Sequence, residues 1–212
     1  MSNFVIRDAR PSDAPFLAKC ILAGMHLYDF EEVVNDDLAN ILDKLIQSEG
    51  REDTLYTYSR TRIAEVYGKP AGALLSYPGE LYKELRDKTF KEYWPAFFSQ
   101  FGSNDLETDP GEYYLDSLAV HPDFRRMGIG RALMEDGIKI GLSKGFKQIA
   151  LVADAGMPHL ISIYASIGFV PAGHRYAFGT DFLRMIYTVH PQDDPEAGKA
   201  AQGSGRTRRN RL

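Results

Sequence analysis

The stretch from Tyr113 to about Lys144 leaves this chain the fewest structural options. Tyr113–Val120 alternates as a strand does, His121–Met127 has the composition of a loop, and Gly128-Ile-Gly130 opens a helix that Gly145 stops. The start of a helix presents unpaired backbone N–H groups and about half a positive charge. Gly128 and Gly130 carry no Cβ, so the backbone can curl there and an anionic oxygen can approach closely. Arg125, Arg126 and Arg131 put three arginines into seven residues around that turn. A pyrophosphate fits such a nest.

The positive cluster is a local exception. The 212 residues carry a net charge of −4. Residues 191–212 hold five basic residues against three acidic ones, which leaves −6 for residues 1–190. That tail is rich in Gly, Ala and Gln and offers little to bury, so it reads as a disordered basic tail behind a folded domain over 1–190. An acidic domain argues against nucleic acid as the partner. The apolar run Phe16–Met25 is too short to cross a membrane and contains Lys19. A single cysteine, Cys20, can make no internal disulfide, which fits a reduced, cytoplasmic setting. No Cys/His cluster has metal-ligand spacing, so no metal is expected.

The remaining pattern alternates short strands with helices. Phe4–Arg7 reads as a strand, and Ser12 or Asp13 as the cap of a helix over about Ala14–Met25. Leu38, Ile41, Leu42, Leu45 and Ile46 follow helical spacing over about Asp36–Gln47. Arg62–Tyr67 and Ala71–Tyr77 read as a hairpin, and Gly79 to Phe101 as helix broken at Trp94-Pro95. Beyond the central unit come a strand at Ile149–Val152, a helix at Pro158–Ile167, and strands at Phe169–Val170 and Phe182–Val189.

A dinucleotide would be one source of pyrophosphate, since Asp154 follows Gly130 by 24 residues. A nucleotide-binding oxidoreductase is therefore one alternative. Leu133 at the third glycine position and the seven residues between Val120 and Gly128 speak against it. With its flanks, Leu118-Ala-Val-His-Pro-Asp-Phe-Arg-Arg-Met-Gly-Ile-Gly-Arg-Ala-Leu133 resembles the acetyl-CoA-binding motif of the GNAT acetyltransferase superfamily, the match falling on Arg125, Gly128 and Gly130. Ile163-Tyr164-Ala-Ser-Ile-Gly-Phe169 resembles the second signature of the same family.

The resemblance implies one α/β domain with a mixed, mostly antiparallel central sheet flanked by helices. It also implies direct transfer of an acetyl or short acyl group from acetyl-CoA to a primary amine in a ternary complex. The pantetheine arm would then pair with the backbone of Leu118, Ala119 and Val120, and the pyrophosphate would sit on the N–H groups of Arg126, Met127, Gly128, Ile129, Gly130 and Arg131, beside Arg125. A backbone N–H near Leu118 would stabilise the oxyanion, and Tyr164 would protonate the departing thiolate. Strand parity puts Asp116 on the face of Leu118 and Val120, where burial would raise its pKa and suit it as the base. Glu112 and Asp154 are alternative bases. Met157 stands where the family commonly has Asn, so an amide contact near the thioester is missing. The acidic residues of the 105–112 loop, with Glu31, Glu32, Asp36 and Asp37, would favour a cationic acceptor, a small molecule or a peptide. A homodimer stays open, and an acyl-CoA-binding regulatory domain without catalysis is the reading from another class.

Overall fold

The computed structural model describes residues 3–30, 35–101 and 104–188. The expected tail at 191–212, and Glu31 and Glu32, lie outside them. The chain runs β1 (Val5–Asp8), α1 (Ala14–Gly24), α2 (Asp36–Glu49), β2 (Thr61–Val66), β3 (Lys69–Pro78), α3 (Tyr82–Tyr93) and α4 (Pro95–Phe101). It continues through β4 (Glu112–Val120), α5 (Ile129–Ser143), β5 (Gln148–Asp154), α6 (Pro158–Ala165), β6 (Phe169–Ala177) and β7 (Thr180–Thr188). One seven-stranded sheet has the order β1-β2-β3-β4-β5-β7-β6. Every pair is antiparallel except β4–β5, which is parallel. This is the mixed, mostly antiparallel sheet that the resemblance implied.

The elements follow from local chemistry. Asn35 caps α2 by accepting the Leu38 N–H at 2.8 Å. Pro95 ends α3 and starts α4, the break expected at Trp94-Pro95. The cap expected of Ser12 or Asp13 on α1 is not made. The Asp13 carboxylate accepts instead from the Arg10 N–H at 2.8 Å and from the Arg7 guanidinium at 2.8 and 3.1 Å. Strand β6 runs to Ala177, well past the expected Val170, because as an edge strand it tolerates Pro171 and the register shift that follows.

Two apolar layers cover the sheet. On one face Ile129, Leu133, Met134 and Ile138 of α5 pack on Leu74, Tyr113, Leu115 and Ile149. The helix lies almost flush there: a Cβ at Gly141 would stand 2.7 Å from the Tyr113 ring, and one at Gly137 2.7 Å from Leu74. On the other face α1 contributes Ala18, Ile21 and Leu22 to a cluster with Tyr77, Tyr82, Phe90 and Tyr114.

Candidate active site

Strands β4 and β5 are paired only from Glu112–Tyr114 to Gln148–Ala150. Beyond that point β4 stays with β3 and β5 stays with β7, so the two splay apart. Leu118, Ala119 and Val120 pair with Leu74, Ala73 and Gly72 on one side, while their other edge has no strand partner among the described residues. A cleft of about 710 Å³ opens at the split, lined from Gly128, Gly130 and Arg131 at one end to Tyr56, Phe90 and Phe97 at the other.

The loop at the head of the cleft turns a run of backbone donors toward one side. Arg126 (φ 63°) and Gly128 (φ 80°) both lie in the left-handed region, which turns successive N–H groups toward one side. Ala132 donates the first backbone bond of the turn, to the Gly128 carbonyl at 3.0 Å. The N–H groups of Arg126 to Arg131 thus have no backbone acceptor among the described residues. Nothing lies within 4 Å of where a Gly128 Cβ would stand. The donor set and the open space fit a pyrophosphate.

The arginine side chains are deployed differently from the expected convergent charge. Arg125 donates to the Val120 carbonyl at 3.2 Å and pairs with Asp29, tying the segment after α1 to the nest. Arg131 reaches across to Ser166, 2.8 Å from its hydroxyl, and approaches Glu135 at 3.6 Å. These two guanidiniums fix the walls of the nest, and the anion-facing donors are chiefly backbone N–H groups. Met127 is exposed, whereas Ile129 is buried under the turn and anchors it to the sheet.

Asp116 lines the cleft, but not on the face that strand parity predicts. Between Leu115, opposite Ser76, and Leu118, opposite Leu74, β4 has two residues where β3 has one. This bulge at Asp116-Ser117 reverses the alternation. Leu118 and Val120 pack toward α5, as do Tyr113 and Leu115 before the bulge. Asp116 lies on the side of Tyr77 and accepts the Tyr77 hydroxyl together with the Ser117 hydroxyl at 2.9 Å. Burial raises its pKa from the usual carboxylate range, and the two hydrogen bonds act against that shift.

A second carboxylate, which the sequence places only among the acidic residues of the 105–112 loop, shares this side of the cleft. Glu107 accepts the Tyr114 hydroxyl at 3.2 Å, and burial beside the Asp116 charge pushes its pKa up to about 8. Nothing in the loop sequence distinguishes it from its neighbours. Its neighbours are engaged elsewhere: Asp105 accepts the Phe178 N–H at 2.8 Å, and Asp109 pairs with Arg175 at 2.6 Å. The loop's other carboxylates are therefore tied to residues outside it, and Glu107 is its carboxylate on the cleft.

The alternative bases fare unequally. Glu112 is buried and holds Thr108 Oγ1 at 2.7 Å, the Asp109 N–H at 3.0 Å and the Arg184 guanidinium, which makes it a structural clamp. Asp154 lines the cleft but accepts the Gly156 N–H at 2.7 Å. Tyr164, on α6, faces the cleft across from the bulge strand, its ring edge-on to Phe169 at 6.3 Å. Burial raises its pKa, which keeps the phenol protonated, and its hydroxyl has no hydrogen-bond partner among the described residues. Met157 occupies the cap position of α6 and makes no side-chain cap, so the departure read from sequence coincides with an uncapped turn.

Comparison with known proteins agrees with this geometry. The model of the Acetyltransferase (GNAT) family matches residues 28–169. A mycothiol acetyltransferase of Arthrobacter sp. (strain FB24) is 30% identical over 108 residues, 51% of this chain but 30% of that relative's length. Among solved structures, one described as an acetyltransferase superposes with a TM-score of 0.68 at 26% identity, covering 88% of this chain and all of the other. An N-acetyltransferase from Staphylococcus aureus Mu50 shares the fold with a TM-score of 0.70 at 24% identity, over 86% of this chain and 99% of its own. The matched region contains the split strands, the nest and Tyr164, and the chain belongs to the GNAT acetyltransferase family.

Proposed function

We propose that this protein transfers the acetyl group of acetyl-CoA directly to a primary amine held in the same cleft. Acetyl-CoA supplies an acyl group already activated as a thioester. The observation that carries the reading is the splay of β4 from β5, which opens one cleft onto the Gly128 nest, the free edge of Leu118–Val120, Tyr164 and Asp116.

Each group has a role that its setting supports. The N–H groups from Arg126 to Arg131 hold the pyrophosphate, with no side-chain desolvation required. The unpaired edge of Leu118, Ala119 and Val120 accepts the pantetheine amides as a further strand would. A backbone N–H beside the bulge near Leu118 stabilises the developing oxyanion. Asp116 removes the proton from the incoming ammonium, directly or through water, and its raised pKa brings it closer to the working pH. Tyr164 donates its phenolic proton to the leaving thiolate, whose reference pKa of about 8.5 lies below the phenol's.

The test is release of free CoA thiol over a panel of amines, paired with calorimetry of CoA. Tyr164→Phe is expected to lower kcat about 100-fold while leaving CoA affinity within twofold. Equal turnover by this variant across pH would remove Tyr164 from the acid role. CoA binding without turnover of any amine would favour the regulatory acyl-CoA-binding reading.

A further inference from the structure

Where the cleft leaves the bulge on the side of Asp116, its walls change character. They are formed by Tyr56, Tyr82, Phe90, Phe97 and Phe178. Four of the rings make a continuous set: Phe97 stacks on Phe178 at 5.6 Å, Phe90 meets Phe178 at 6.2 Å, and Tyr56 meets Phe90 at 6.3 Å. Two carboxylates, Asp116 and Glu107, adjoin this aromatic wall, while the arginines that line the cleft, Arg125, Arg126 and Arg131, all belong to the nest end. Arg86 lies against the Tyr82 and Phe178 rings, outside the lining, and its guanidinium is bonded to Asp87.

We propose that the acceptor is an arylalkylamine: a primary amine on an aromatic body, with no carboxylate beside the amino group. This rests on the acetyltransferase reading above and narrows it. The ammonium is drawn to Asp116, a poorly solvated carboxylate to which attraction is strong, and Glu107, held largely protonated near neutral pH by burial beside that charge, adds a polar acceptor. The aromatic body stacks among rings that offer offset and edge-on partners. A free amino acid would bring its own carboxylate next to Asp116 and Glu107 with no lining cation on that side to balance it. A sugar amine would press hydroxyls against ring faces that return no hydrogen bonds.

Phenethylamine and phenylalanine differ only in the α-carboxylate, so they isolate the argument. With acetyl-CoA saturating, kcat/KM for phenethylamine is expected to exceed that for phenylalanine, glucosamine and spermidine by about 100-fold or more. Phe97, 38% exposed on α4, can be truncated without opening the core. Phe97→Ala should raise KM for phenethylamine about tenfold and leave kcat and CoA affinity unchanged. Equal or better turnover of phenylalanine, glucosamine or spermidine overturns the inference, as does failure of phenethylamine to react while CoA binds. Failure to bind CoA at all would instead sink the acetyltransferase reading itself.

Discussion

The two glycines of the nest should respond to alanine in opposite directions. Gly128 has φ +80° and open space where its Cβ would stand, so Gly128→Ala meets no clash. Its cost is torsional, about 1–2 kcal/mol for an L-residue held in the left-handed region. Gly130 sits in the first turn of α5, with Val120 Cγ2 at 3.7 Å and Leu118 Cδ2 at 4.0 Å from the added methyl, ordinary contact distances. Gly130→Ala therefore gains helix propensity, about 0.5–1 kcal/mol. For a domain of this size 1 kcal/mol moves Tm by about 2–4 °C. Without ligand, Gly128→Ala should melt about 2–8 °C below the wild type and Gly130→Ala about 1–4 °C above it. Saturation with CoA at about 100 times Kd adds about 2.7 kcal/mol to the wild type. Both variants should show a smaller CoA-induced shift, because each disturbs the close approach of backbone to pyrophosphate. The measurement is thermal denaturation with and without CoA. A full wild-type shift in Gly130→Ala would refute the claim that the nest needs bare backbone, and unchanged stability of Gly128→Ala would refute the torsional argument.

Glu49 ends α2 fully buried, and neither carboxylate oxygen has a hydrogen-bond partner among the described residues. Burial pushes its pKa up to about 8, with Arg60 pulling down and Asp116 pushing up. The native state thus binds this proton more tightly than the unfolded chain, and stability falls as pH rises from about 4.5 to about 8. Glu49→Gln should match the wild type near pH 5 and exceed it by about 1–3 kcal/mol near pH 9 in urea titrations; a constant difference across pH would contradict this. Glu112→Ala leaves the Arg184 guanidinium and Thr108 without their shared acceptor, and should lower stability by about 3–5 kcal/mol. A loss under about 1 kcal/mol in chemical denaturation would show that the clamp is not holding the 104–111 loop.

Most of the fold was legible because the helices bury one face and so print their period, while the strands are marked by apolar runs bounded by turn residues. Arg62–Tyr67 and Ala71–Tyr77 are the hairpin strands expected, Tyr113–Val120 is a strand, and Leu38 to Ile46 keep helical spacing, as observed. The bulge at Asp116-Ser117 was not legible, since an extra residue in a ladder leaves no compositional trace, and it moved Asp116 to the other face. Glu107 was not singled out within the acidic loop because its place on the cleft goes with Asp105 and Asp109 being held by the Phe178 N–H and by Arg175, both distant in sequence. The glycines at 137 and 141 carried a readable signal: two bare positions four apart on an apolar helix face mark close approach to a sheet. The nest was legible as backbone, but Arg125 and Arg131 were recruited by Asp29 and Ser166, neighbours in space only.

The bulge also limits how this strand can be improved. Deleting one residue of the Asp116-Ser117 pair would restore an unbroken ladder with β3. It would also rotate one half of β4 by half a turn, exchanging Leu118 and Val120 with Ala119, or Tyr113 and Leu115 with Tyr114. The most regular version of this strand is one that can pack only half of its side chains. Stability selection acting on the sheet alone would remove the irregularity, and with it the place where an amine and a thioester could meet.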